Sequence, residues 1–252
     1  MAAIDVTDLH KHYGSNHAVD GVSFHVDQGE IYALLGENGA GKSTTVEILE
    51  GHREPSSGAV SVLGVNPAKA DRKFRDRIGI VLQSSGVETE FTVREVIDLY
   101  SSAYSNPRSL DEVVGLTGLD EKVDERVGSL SGGQKRRVDL ALGIVGRPEM
   151  LFLDEPTTGF DPSARRKSWD LIEALIADGT TVLLTTHYLD EAEHLADRVG
   201  VLMQGRMVAE GAPAELINRL SGTIVSFDVP DSISLDAAAG TFAEVLGAQV
   251  SM

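Results

Sequence analysis

Cysteine is absent from this 252-residue sequence, which excludes disulfides and thiolate-ligated metals and fits a reducing compartment. Long apolar runs are absent too. The longest candidates, Ile31 to Leu35 and Leu140 to Val145, fall far short of the roughly 18 residues that span a bilayer. The chain itself is therefore not expected to cross a membrane. Positive charge is scarce: 22 basic residues face 39 acidic ones, a net charge of −17. That balance repels polyanions unless basic groups are locally concentrated, so nucleic acid is not expected as a partner. The segment Met1 to Asp8 has acidic residues where a secretory signal would carry a basic region and a long apolar stretch, which predicts a cytoplasmic location. No internal repeat or low-complexity tract is present.

What is there suffices for a core, since 42% of the residues are hydrophobic. Short strands are predicted at Ile4 to Leu9, Ala18 to Val26 and Ile31 to Leu35, with turns at Tyr13-Gly14 and Asp27 to Gly29. Apolar runs at Met150 to Leu153, Thr181 to Thr186 and Val199 to Met203 read as strands buried on both faces of a parallel sheet, and Ile78 to Leu82 is another strand-like run. A helix with Trp169, Ile172 and Leu175 on one face is opened by Asp161-Pro162 and closed near Gly179. This alternation predicts an α/β fold with an N-terminal β subdomain. From about 88 to 147 strand-like runs are missing, and the spacing of Val93, Val96, Ile97 and Tyr100 predicts an inserted helical lobe. A hairpin around Gln204-Gly205 and a helix over Pro213 to Leu220 complete a domain expected to span 1–220. A strand at Thr223 to Val229 and a helix at Leu235 to Leu246 would form a short accessory segment over 221–252, either regulatory or truncated.

The chemistry begins at Gly36-Glu37-Asn38-Gly39-Ala40-Gly41-Lys42-Ser43, a glycine-rich phosphate-binding loop that follows an apolar strand and opens a predicted helix from Ser43 to Leu49. Its fixed positions would occur by chance in about one such chain in a hundred. Backbone N–H groups and the helix N-terminus cradle phosphates, Lys42 reaches the β and γ phosphates, and Ser43 can ligate Mg²⁺. A second element, Met150 to Glu155, is a buried strand ending in two carboxylates. Adjacent residues there point differently, so Asp154 can serve the metal while Glu155 polarises the water that attacks the γ-phosphate. A third, Leu130-Ser131-Gly132-Gly133-Gln134, places a serine and backbone N–H groups at a helix start, a further anion site.

Leu130 to Gln134 is similar to the signature of the ABC ATPases, and with the two preceding motifs the likeness runs from about Ile4 to Leu220. The resemblance implies a P-loop NTPase fold with a mixed sheet, and subunits that pair head to tail. Two ATP molecules would then lie between one subunit's phosphate loop and the signature (Ser131, Gly132, Gly133, Gln134) of the other. It also implies roles for single residues. Tyr13 would stack on adenine, and Gly36 through Thr44 would hold the phosphates. Gln83 would touch Mg²⁺ beside Ser43 and Asp154. His187 would hydrogen-bond the γ-phosphate next to Glu155, and Asp161 would link the two sites. Phe160 stands where relatives commonly have leucine, a departure expected to alter packing more than chemistry.

Residues Thr157 to Leu175 and Thr185 to Val201 look most like bacterial exporters of the daunorubicin-resistance type. The implied function is an ATP-hydrolysing motor for drug or antibiotic export, using ATP and Mg²⁺. It would work as a homodimer on a separate membrane permease, peripheral to the inner face of the cell membrane. The competing class is a soluble ABC ATPase in assembly, repair or translation; the interval from Lys42 to Ser131 is too short for an inserted long coiled coil, and only one motif set is present. A P-loop kinase would have no use for the Ser131 motif. Lys135-Arg136-Arg137 reads as charges on a helix face.

Overall fold

The computed structural model describes residues 2–82, 86–177 and 179–220. Gln83 and the strand and helix expected after Thr223 lie outside them. The chain divides into two compact units, 1–216 and 217–252, and the architecture that follows is that of the first.

Strands β1 (Ala2–Tyr13) and β2 (Asn16–Asp27) form a long antiparallel hairpin, and β4 (Ser57–Val62) pairs with the other edge of β1. Alternate side chains Ile4, Val6, Val22, Phe24 and Val26 are buried, as period-two patterning requires of a half-buried sheet. The strands are longer than their apolar stretches because backbone pairing carries them on to Tyr13 opposite Asn16. β4 has no counterpart in the sequence reading. It carries only Ala59, Val60 and Val62 as apolar residues, and β1 pairing defines it.

The second sheet has the order β5-β6-β7-β3-β8-β9, from β5 (Ile78–Val81), β6 (Met150–Asp154), β7 (Thr181–Thr186), β3 (Ile31–Leu35), β8 (Arg198–Met203) and β9 (Arg206–Gly211). All its pairings are parallel except the β8–β9 hairpin. Its central strands are buried along their length, which explains their continuous apolar runs.

Helix α1 (Lys42–Leu49) and the short α2 (Arg72–Arg75) add Val46, Ile48, Leu49 and Phe74 to a cluster shared with the β1–β2 hairpin. On the other face, α6 (Pro162–Ala177) and α7 (Leu189–Leu195) pack Trp169, Ile172, Leu175 and Leu195 against the strands. Helices α3 (Val93–Ser101), α4 (Leu110–Thr117) and α5 (Gly132–Ile144) enclose a third cluster, including Val93, Val96, Ile97, Val113 and Val138. Thr92 and Ser109 start α3 and α4 with capping boxes. Tyr100, expected on the apolar face of α3, lies in its last turn and is exposed. Helix α8, the last among the described residues, spans Pro213–Leu220.

Candidate functional site

Strand order assembles the chemistry. β6, β7 and β3 are consecutive neighbours and run parallel, so their carboxyl ends bring together the loop from Gly36, the pair Asp154-Glu155 and His187. Ligands bind at that end of such sheets.

The glycine loop is shaped by contacts that forbid side chains. A Cβ on Gly41, whose φ is 104°, would lie 2.5 Å from the Ala18 carbonyl oxygen. Gly36 N–H donates to Thr186 O at 3.1 Å, and Gly205 N–H to Ala40 O at 3.0 Å, fixing the loop to β7 and to the β8–β9 turn. Lys42 is buried, and its Nζ donates to Gly36 O at 2.7 Å and Glu37 O at 3.1 Å. Ser43 Oγ is 3.5 Å from both Asp154 carboxylate oxygens. These are hard oxygen donors on adjacent elements, a set suited to Mg²⁺, which takes only one or two protein oxygens beside waters and phosphates. Among the described residues no cluster of three or more His, Asp or Glu competes as a metal site.

Glu155 is the centre of the site. Its φ of 47° is left-handed, uncommon for a residue with a side chain and a mark of locally stored strain. Its N–H donates to Thr185 O at 3.2 Å and Thr185 Oγ1 at 3.1 Å, and Thr158 Oγ1 donates to its Oε2 at 3.1 Å. Its Oε1 lies 3.6 Å from Lys42 Nζ and 3.3 Å from His187 Nδ1. The second pair is at ion-pair distance without hydrogen-bond alignment, and His187 Nδ1, though buried, makes no hydrogen bond. The His187 ring packs on Tyr188, and the Arg165 guanidinium lies 4.4 Å from the Tyr188 ring centroid.

A cleft of about 600 Å³ is lined by Tyr13, Asn16, His17, Asn38, Gly39, Gly41, Lys42, Ser43, Thr44, Glu155 and Gln204. Its volume suits a nucleotide. Tyr13, at the hairpin tip, is 42% exposed, with Lys11 Nζ and Arg53 Cζ at 5.3 and 5.7 Å from its ring centroid. Asn16, His17 and Gln204 were not anticipated; only the hairpin geometry brings them there.

Ser131 and Gln134 are elsewhere. They line a second cleft of about 490 Å³ with Gly133, Phe160 and Asp161, and the two clefts share no residue. Ser131 begins α5 through a capping box: its Oγ accepts from Gln134 N–H at 3.3 Å, and Gln134 Oε1 accepts from Ser131 N–H at 2.9 Å. Asp161 O accepts the Arg165 N–H at 3.0 Å, the first bond of α6.

The chain matches the ABC transporter family model over residues 19–158, a span that holds the phosphate loop, the Ser131 motif and the Asp154-Glu155 pair. The chain belongs to that family. It is an ATP-binding subunit, an ATPase coupled to transport. The Nod factor export ATP-binding protein I of Rhizobium etli is 42% identical over 250 residues, covering 97% of this chain and 79% of that protein. A solved ATP-binding subunit of an ABC transporter superposes with a TM-score of 0.78 at 29% identity, covering 89% of this chain and 95% of the other. A dimeric post-hydrolysis ATP-binding cassette with bound ADP and phosphate gives 0.74 at 25% identity, covering 83% and 98%.

Arg136 is not the solvated helix-face charge that the sequence predicts: its side chain is only 11% exposed and turned into the protein against main-chain carbonyls. Sequence spacing carries no sign of this, because the carbonyls belong to other elements.

Proposed function

We propose that this chain is the motor of an exporter, closing on ATP as a head-to-tail homodimer and driving separate membrane subunits from the cytoplasmic side. The observation that carries the dimer is the separation of the two clefts. The signature residues Ser131, Gly133 and Gln134 line one and Lys42 and Glu155 the other, so a site containing both sets needs two chains. Among the described residues no helix is long and apolar enough to cross a membrane, so the pathway is assigned to another subunit.

In this reading Tyr13 stacks on adenine and the loop from Gly36 to Thr44 wraps the phosphates, with Lys42 bonded to them. Ser43 and Asp154, with Gln83, would hold Mg²⁺, which would neutralise charge on the β and γ phosphates. Glu155 accepts a proton from the water whose oxygen attacks the γ-phosphorus while the bond to the β-phosphate breaks. His187 holds the γ-phosphate, and Ser131, Gly132, Gly133 and Gln134 of the second copy cover it. Asp161 meets the other site across the interface. Electrostatics and positioning supply most of the rate in such transfers.

The export direction is supported by the relatives, which are Nod factor export ATP-binding proteins. A drug or antibiotic as cargo rests on the likeness of 157–175 and 185–201 to daunorubicin-resistance exporters, and the relatives' name specifies a different cargo. The experiment is phosphate release from Mg-ATP over a range of protein concentrations. Specific activity should rise with concentration as dimers form; activity per chain that is constant under monomeric conditions would contradict the composite site.

A further inference from the structure

Three consecutive carbonyls at the end of β6 turn to one guanidinium. Arg136 donates from Nη2 to Asp154 O at 3.1 Å and to Glu155 O at 3.5 Å, and from Nε to Pro156 O at 3.1 Å. Its Nη1 donates to Leu82 O at the end of β5 and lies 3.6 Å from Asp139 Oδ2. These carbonyls stand where the sheet's own ladders stop, so their hydrogen bonds must come from outside it. They also flank the left-handed Glu155, which precedes a proline and is thereby restricted further. Such a conformation persists only where its surroundings over-determine it.

We propose that Arg136 is a positioning residue for hydrolysis: its guanidinium fixes the Asp154–Pro156 main chain so that the Glu155 carboxylate stands beside Lys42 and His187. The proposal rests on Glu155 as the group that activates water. The geometry needs arginine, because five N–H donors in a planar fork can serve several carbonyls at once, whereas an ammonium is a compact point charge. It also needs α5 close to the sheet. A Cβ on Gly79 of β5 would lie 2.1 Å from the Gly143 carbonyl of α5, so two glycines let helix and strand approach. Burial pushes the Arg136 pKa down and Asp139 opposes that shift, yet a guanidinium stays charged. Arg136 is five positions beyond Ser131 on the same helix, so the helix that begins at one cleft holds the carboxylate of the other.

The test compares steady-state hydrolysis, equilibrium Mg-ATP binding and urea unfolding for the wild type, Arg136→Lys, Glu155→Gln and the double variant. Arg136→Lys should lower kcat by about 10- to 100-fold, the size of effect expected for a misplaced catalytic group, with the ATP Kd within about twofold. In the Glu155→Gln background the same change should cost nothing more, since groups acting through one another are non-additive. Asp139→Asn, which loosens the guanidinium without removing it, should show the same pattern at smaller size if Arg136→Lys does not fold. Wild-type kcat in Arg136→Lys, losses that multiply in the double variant, or a loss of ATP affinity matching the loss of kcat would overturn the proposal. Glu155→Gln hydrolysing at the wild-type rate would instead remove the base itself, and the proposal with it.

Discussion

Lys42 Nζ and Glu155 Oε1 face each other at 3.6 Å across the floor of the nucleotide cleft, the one rooted in α1 and the other just beyond β6. The only basic side chain of the phosphate loop is thus already beside the carboxylate assigned to the attacking water.

Lys42→Ala should weaken ATP binding by about 2 to 5 kcal/mol, roughly 30- to 5,000-fold in Kd, the range for truncating one partner of a buried, hydrogen-bonded charge pair. Calorimetry with Mg-ATP checks this, and an unchanged Kd would contradict the role given to Lys42.

Glu155→Gln should leave ATP bound and slow hydrolysis by about 10²- to 10⁴-fold, as for a lost general base. Single-turnover phosphate release measures it. A loss of binding equal to the loss of rate would assign Glu155 to phosphate capture instead.

Tyr13→Ala should cost about 1 to 3 kcal/mol in ATP affinity, the scale of base–aromatic stacking, while Tyr13→Trp should retain binding. Equal affinities for ATP and bare triphosphate in the wild type would show that the ring contributes nothing.

Glu50, at the end of α1, has a side chain 2% exposed. Its pKa is pushed from 4.5 up to about 8, first by burial and then by Asp154 and Glu47. Between those values the folded chain keeps a proton that the unfolded chain releases. This group's stabilising contribution is therefore full below pH 4.5 and is lost as the pH rises to about 8. Glu50→Gln should flatten that decline, giving a urea midpoint above the wild type's at pH 9 and close to it at pH 5. Parallel pH curves for the two proteins would contradict the burial of an ionisable carboxyl.

The parallel strands were legible because burial on both faces writes an apolar run into the sequence, so Thr181–Thr186 stands where expected. The helix around Trp169, Ile172 and Leu175 was legible for the same reason, through its buried stripe. β4 was not, since an edge strand with few apolar residues is defined by its partner. Nor was α7, a seven-residue helix whose leucines bracket five polar or small residues. Lys42, Ser43, Asp154, Glu155 and His187 were legible because each follows a recognisable strand, and the sheet order brings those strand ends together. Arg136 meets carbonyls 18 to 54 positions away, and His17 and Gln204 reach the cleft from opposite ends of the sheet sequence, information that enters only with the fold.

The most direct test of the composite two-chain site is the molar mass of Glu155→Gln in Mg-ATP, measured by light scattering with and without Ser131→Arg. The account predicts a dimer for the single variant and a monomer for the double one, with each chain still binding ATP at its own phosphate loop. A monomer in both cases, or a dimer that survives Ser131→Arg, would contradict it.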